Sequence, residues 1–284
     1  MENNKEIKIL DIKINALLKA EVLDLITKLL ADPSSIQQQL VTTNPEFIMC
    51  AQTDEEFKNI INNSWLSVAD GYGIRLAAKY LKMISDFGFR ISDFKKFLLG
   101  IKIFCWGITR NNQKLNIVPE TITGTDLIPE IVRLMSYDSG ITNKKIFLLG
   151  GYGETPRLTA EQLKKTFPTG ANNYSPLQIA YTTFESKNII ETINSFQPLV
   201  LFVALNHPRA QKWINANLPK ILSVKLAIGV GGAFDYLSGK IKRAPQNLRG
   251  FEWFYRLITQ PRRFKRIYTA VVKFPWFVFK KSIY

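Results

Sequence analysis

Residues 199–232, LVLFVALNHPRAQKWINANLPKILSVKLAIGVGG, decide the fold. Leu199–Ala204 is a short apolar run that reads as a buried strand, and the polar turn NHPR follows it. Ala210–Leu218 carries a helical period, and Leu226–Val230 is a second apolar strand, ending in glycines. Strand, helix and strand over roughly 30 residues make a parallel crossover unit.

The same alternation runs outward in both directions. Upstream, Ile7–Ile12 reads as a strand and Ala16–Leu30 as a helix. Leu40–Thr43 is a strand ending in TTNPE, Glu46–Asn62 is helical, and Trp65–Ala69 is a buried strand ending in DGYG. A helix follows from Ile74 to about Met83. Lys145–Leu149 is a strand ending in Gly150-Gly151, followed by a helix (Thr159–Thr166), a polar loop (Gly170–Pro176) and another helix (Glu185–Phe196). Strands alternating with helices predict a mainly parallel α/β sheet flanked by helices. Lys82–Pro119 breaks the pattern, with acidic turns beside FKKFLLGIKIFCWGI (94–108). It reads either as an inserted lid, as a membrane-touching segment, or as a buried helical hairpin.

Charge is concentrated at one end. From Lys240 to Tyr284 twelve basic residues face one acid, Glu252, so this stretch holds +11 of the chain's +15. Such local basicity marks a docking surface rather than a generally basic protein. Trp253, Phe254, Tyr255, Phe264, Tyr268, Phe274, Trp276, Phe277 and Phe279 are interleaved with it. Basic residues mixed with tryptophan and phenylalanine form an interfacial helix on anionic lipid; the alternatives are a solvated helix plus a core helix, or a nucleic-acid surface. Nucleic acid is disfavoured because the rest of the chain lacks a basic face. No apolar run reaches the ~18 residues that span a bilayer, and the polar start MENNKEIKIL carries no secretory pattern. Cys50 and Cys105 form no disulfide or metal framework. The expectation is a cytoplasmic protein, peripheral on the inner face of the plasma membrane.

The polar and glycine-rich turns all fall at strand ends, where open α/β sheets bind ligands. TTN, DG, GG, NHPR and GGAFD therefore point to one shared crevice. Asp70 follows a buried strand and precedes Gly71. Its carboxylate is placed either to take a proton from an acceptor hydroxyl or to cap the helix at Ile74. Thr42 and Asn44, on one face of an extended end, either bond a sugar or, for Asn44, cap the helix that Pro45 and Glu46 begin. Gly150, Gly151 and Gly153 follow one strand, and Gly229, Gly231 and Gly232 another. Glycine turns let backbone approach phosphate. Asp235 is a candidate for donor hydroxyls or a turn cap. His207, the only histidine, sits in a strand-end turn as either a ligand contact or a structural residue. There is no G-x-x-x-x-G-K-[ST] P-loop and no G-x-G-x-x-G after the first strand, which argues against a P-loop ATPase and a dinucleotide oxidoreductase. With no D-x-D pair, no metal and no cofactor are expected, and leaving-group charge falls to arginine, lysine and backbone N–H groups.

Taken together, TTNPE (42–46), ADGYG (69–73), ITGTDL (122–127), FLLGG (147–151), ALNHPRAQKWI (204–214), GVGGAFDYLSGKIKRAP (229–245) and the following EWFYRLITQPRRFKR resemble the WecG/TagA/CpsF glycosyltransferase family. The resemblance implies a Rossmann-like catalytic domain over residues 1–240, with an insertion at about 82–118, and a basic helical C-terminal appendage over 241–284. It implies inverting, metal-independent transfer of an N-acetylmannosamine-type sugar from a UDP-sugar to a polyprenyl-diphosphate-linked amino sugar, as in teichoic acid or other cell-surface polysaccharide synthesis. On this pattern Asp70 is the general base, with Thr42 and Asn44 assisting. Substrate binding falls to Gly71, Gly124, Asp126, Gly150, Gly151, His207, Pro208, Arg209, Gln211, Gly231, Gly232, Phe234 and Asp235. Arg249, Trp253, Arg256, Arg262, Arg263, Lys265 and Arg266 are the expected membrane-binding set. The partners are then the UDP-sugar, the lipid-linked acceptor and an anionic membrane, without nucleic acid; a homo-oligomer is compatible with the pattern.

The chain departs from the family at three positions. Thr121 replaces the usual arginine before V-T-G, and in NHPRAQ the usual glutamine and glutamate are Ala210 and Gln211. All three are expected in the pocket, with Arg75, Arg110, Arg209 or Arg243 as substitutes for the lost arginine. A catalytically weak or inactive nucleotide-sugar-binding paralogue is the alternative function.

Overall fold

The structure is a computed structural model that describes residues 5–87, 91–108, 112–167, 176–241, 257–258 and 263–282. Its strands are β1 (Glu6–Ile9), β2 (Ile12–Asn15), β3 (Gln38–Thr43), β4 (Leu66–Ala69), β5 (Lys145–Gly150), β6 (Gln178–Thr182), β7 (Val200–Ala204) and β8 (Leu226–Gly229). They form one eight-stranded sheet in the order β1-β2-β4-β3-β8-β7-β5-β6. All pairings are parallel except β1 with β2.

Period-two side-chain alternation sorts the sheet into two covered faces. Leu40, Ile146, Leu148, Val200, Phe202, Leu226 and Ile228 point to one face. There they meet α1 (Lys19–Ala31), α6 (Gly124–Tyr137) and α7 (Thr155–Thr166), through Val22, Ile26, Ile128, Ile131 and Leu163. Their in-between neighbours point the other way. Phe147, Leu149, Leu201, Val203 and Ala227 pack under α8 (Ile189–Phe196) and α9 (Arg209–Asn217). Val41 packs under α2 (Pro45–Ala51), α3 (Glu55–Asn63) and α4 (Tyr72–Phe87). Burial on both faces explains why the central strands read as unbroken apolar runs. The expected α/β class, a mainly parallel sheet flanked by helices, is what the chain forms.

Local readings differ in several places. Glu46–Asn62 is not one helix but two, α2 and α3, separated at 52–54, where Asp54 caps α3 by accepting from Phe57 N–H at 3.0 Å. Ile7–Ile12 is not one strand but a hairpin, turned at Leu10 and Asp11, which both take positive φ (51° and 63°). Leu10 is buried there, so packing overrides the usual glycine or asparagine of such a turn. Gln178–Thr182 forms the edge strand β6, whose short QIAYT run is mostly exposed or half-buried and gives no unbroken apolar stretch. The second helix of that region starts at Ile189, after Asn188 in the left-handed region (φ 60°), rather than at Glu185.

The 82–118 stretch continues α4 and then forms α5 (Asp93–Ile108), which packs on α4 as a helical hairpin. Leu99 and Ile103 are buried, while Phe94, Phe97, Leu98, Ile101 and Phe104 are exposed. At the C-terminus, α11 (Phe264–Tyr268), a π-helical turn (Thr269–Lys273) and α12 (Phe274–Lys281) run consecutively. Phe274 and Val278 insert into the cluster that holds Phe47, Ile48, Ile74 and Tyr80. No helix among the described residues is long and apolar enough to cross a membrane.

Candidate active site

The β3–β8 boundary divides the sheet into a half built by the strands up to residue 69 and a half built by those after residue 145. A cleft of ≈ 380 Å³ opens at the carboxyl ends of the strands around that boundary, where open α/β sheets bind ligands. Four strand ends line it: Thr42 within the end of β3 and Asn44 just after it, Asp70 and Gly71 after β4, Asn206 and His207 after β7, and Gly231 and Gly232 after β8. Gly124 and Gln211, at the starts of α6 and α9, complete the group.

Local chemistry explains each turn. Asp70 N–H donates to the Thr43 carbonyl at 2.7 Å, so the strand pairing holds one residue past β4. Gly71 then takes φ 99°, which turns the chain into α4 with Asp70 on the cleft wall. Asn44 lines the cleft and takes the capping role: its Oδ1 accepts from Phe47 N–H at 3.0 Å at the start of α2. Gly231 has φ 53° and open space where a side chain would stand. Beside Gly232 the nearest groups to a missing Cβ are the Arg263 guanidinium and Asp235 Oδ2, each at 3.5 Å.

Two tail arginines from the expected membrane-binding set line this cleft: Arg263 and Arg266. Arg266 Nε donates to Glu46 Oε2 at 2.6 Å, and the same oxygen lies 3.8 Å from His207 Nε2. The His207 ring packs against Phe47 at a tilt of 37°, with ring centres 4.9 Å apart. Burial pushes the His207 pKa below the ordinary value; Glu46 opposes the shift and Arg266 adds to it. Glu46 was legible only as a helix start, although it shares a turn with Asn44. Lys265 is exposed; Arg249, Trp253, Arg256 and Arg262 lie outside the described residues.

The other named residues stand apart from the cleft. Gly150, with φ 98°, lies where a Cβ would come within 2.5 Å of the Ala204 carbonyl oxygen, so close packing on β7 requires glycine. Gly151 (φ 79°) packs against Pro156 and Phe234. Phe234 is in the core, on α10 (Ala233–Leu237). Asp126 accepts from Thr123 Oγ1 at 2.8 Å at the start of α6. Pro208 and Arg209 begin α9, and Arg209 is exposed.

The three departures separate in the structure. Ala210 is fully buried against β8 and does not line the cleft, and neither does Thr121. Gln211 does, almost fully buried, with its Oε1 unpartnered among the described residues. Arg75 is committed to holding the 112–118 segment, donating to the Val118 and Leu115 carbonyls at 2.8 and 3.1 Å. Arg110 and Arg243 lie outside the described residues. Arg263 and Arg266 are thus the described arginines that face the cleft.

A mainly parallel α/β sheet with a cleft at its switch point, bordered by a basic C-terminal tail, is the class of protein the structure defines. The sequence model of the glycosyl transferase WecG/TagA/CpsF family matches residues 7–98 and 105–284, and the chain belongs to that family. The match runs through most of the 82–118 stretch and omits only 99–104. Relatives include the N-acetylglucosaminyldiphosphoundecaprenol N-acetyl-beta-D-mannosaminyltransferases of Staphylococcus aureus strains MRSA252 and NCTC 8325. Each is 24% identical over 267 residues, covering 93% of this chain and 89% of the relative.

Proposed function

We propose that this protein transfers an N-acetylmannosamine-type sugar from a UDP-sugar to a polyprenyl-diphosphate-linked amino sugar, with inversion and without a metal. The observation that carries the proposal is the cleft itself. A strand-end carboxylate, Asp70, shares it with an open glycine turn, Gly231-Gly232, and with two arginines of the basic tail.

The chemistry follows from these positions. Asp70 accepts the proton of the acceptor hydroxyl as its oxygen forms a bond to the anomeric carbon. The bond from that carbon to the diphosphate oxygen breaks on the opposite side, so one base suffices and configuration inverts. UDP leaves with the electron pair, and its growing charge is met by Arg263 and Arg266. Thr42 and Asn44 hold sugar hydroxyls, and Gln211 offers its unpartnered Oε1 as an acceptor. A peripheral position on the cytoplasmic face of the membrane brings this cleft to the lipid acceptor. The exposed Phe264, Trp276, Lys265, Lys273, Lys280 and Lys281 of the tail are the contact chemistry.

The test is a panel of UDP-sugars with a polyprenyl-diphosphate-N-acetylglucosamine acceptor and anionic vesicles. The product's anomeric configuration is read by NMR, with a chelator present throughout. Transfer from one donor with inverted configuration supports the proposal. Retention of configuration, or activity abolished by the chelator, would falsify the corresponding part. UDP binding without transfer to any acceptor favours the inactive paralogue.

A further inference from the structure

A second, apolar groove of ≈ 420 Å³ lies between α4, α5 and the C-terminal helix, within the size range of small-molecule sites. It adjoins the cleft, and Leu76, Phe104, Val271 and Pro275 line both. Side by side, the two offer one end that carries Arg263 and Arg266 and one end that is apolar. That order matches an amphiphile whose diphosphate sits at one end and whose hydrocarbon runs from it. We infer that the groove holds the first isoprenoid units of the lipid acceptor; the inference rests on the proposed transfer reaction.

The groove is built to receive hydrocarbon. Its Tyr80 hydroxyl is already taken by Ser282 Oγ at 3.0 Å, so it presents no demand for a polar ligand atom. Phe97, Ile101, Phe104 and Trp276 are about half exposed or more, which is costly in water and natural for a wall that meets a chain. Contacts tie the two walls together: Phe97 and Phe279 rings sit edge-on at 6.2 Å, and Lys96 Nζ donates to the Ser282 carbonyl at 2.9 Å. The wall contributed by Gly100, Ile101, Ile103 and Phe104 falls within 99–104, the stretch the family's sequence model does not match.

Gly100 gives a clean probe. A Cβ there would stand 3.8 Å from the Tyr80 ring with no clash, and a side chain within α5 favours the helix over glycine. Gly100→Phe places a ring at the groove, and circular dichroism checks that the variant keeps its fold. The acceptors carry one head, diphosphate-N-acetylglucosamine, and a single-isoprene, a farnesyl-length or a full polyprenyl tail, in detergent micelles with the full chain. In the wild type, KM falls roughly tenfold or more from the single-isoprene to the farnesyl-length tail, then levels off. Gly100→Phe flattens that dependence. A dependence retained in Gly100→Phe, or a wild type indifferent to tail length, overturns the inference. A second readout needs no turnover: a diazirine-bearing farnesyl diphosphate labels α5 and α12 peptides in the wild type, and labels them far less in Gly100→Phe. Labelling confined to other surfaces overturns the groove even if sugar transfer is intact. Groove labelling without transfer to any acceptor supports the groove and sinks the proposed reaction instead.

Discussion

Phe274→Ala should loosen the tail while leaving the sheet intact. Phe274 and Val278 are the buried side chains of α12, and α11 and the π-helical turn bury none. Removing a fully enclosed phenylalanine costs about 3–5 kcal/mol. The remaining described ties are weaker. The half-exposed Arg266–Glu46 pair contributes about 0–1 kcal/mol, and the bonds of Ser282 to Tyr80 and Lys96 are single hydrogen bonds of about 1 kcal/mol each. Val278 and the half-buried Phe277 and Phe279 still hold α12, so the loss is comparable with what is left, and the helix should open locally before the domain unfolds. Amide exchange followed by mass spectrometry reads this directly. Peptides from 264–281 should exchange about 100-fold faster or more, while β3 and β8 peptides keep their protection. Transfer activity should fall in parallel, because Arg263 and Arg266 are carried away from the cleft. Unchanged tail protection, or an equal loss in β3 and β8, would refute the reasoning.

Three further expectations follow from particular contacts. His207, the one histidine of the chain, should titrate by NMR below the ordinary histidine value, and Arg266→Met should raise its pKa, since Arg266 repels the imidazolium and ties up Glu46; a fall in the variant would contradict this. Because its folded pKa is depressed, the stability linked to His207 is complete above the ordinary histidine pKa and is lost as pH falls from there through the folded value. Gly150→Ala should destabilise the protein in urea by about 1–3 kcal/mol or more through positive φ and a clash with the Ala204 carbonyl, and a neutral result would mean that β7 can give way. Changing Lys265, Lys273, Lys280 and Lys281 to Gln should weaken co-sedimentation with anionic vesicles by about 1 kcal/mol per residue near the surface, and binding unaffected by all four would move the membrane contact to α5.

The sequence made the sheet legible because strands buried on both faces appear as apolar runs, and because β3, β4, β7 and β8 each end in a polar or glycine turn. Those four turns do line one cleft. The fifth, Gly150-Gly151, obeys the same local rule, but β5 lies beyond β7 and its glycine answers to packing against Ala204. No local pattern distinguishes a glycine that admits a ligand from one that admits a neighbouring strand. The β1–β2 hairpin was hidden because Leu10 and Asp11 adopt left-handed backbone under tertiary pressure. The tail was legible as basic and aromatic, which fits a membrane surface. That Phe274 anchors it and brings Arg263 and Arg266 into the cleft depends on contacts some 200 residues distant in sequence, as Arg266 to Glu46 shows, beyond the reach of periodicity or composition.

The most direct test of the account is the transfer rate of Asp70→Asn on the lipid-linked acceptor, beside its UDP affinity and unfolding midpoint. The account predicts a rate lowered by about 100- to 10,000-fold, with UDP binding and stability close to wild type. Transfer at the wild-type rate would remove Asp70 as the base and contradict the central claim.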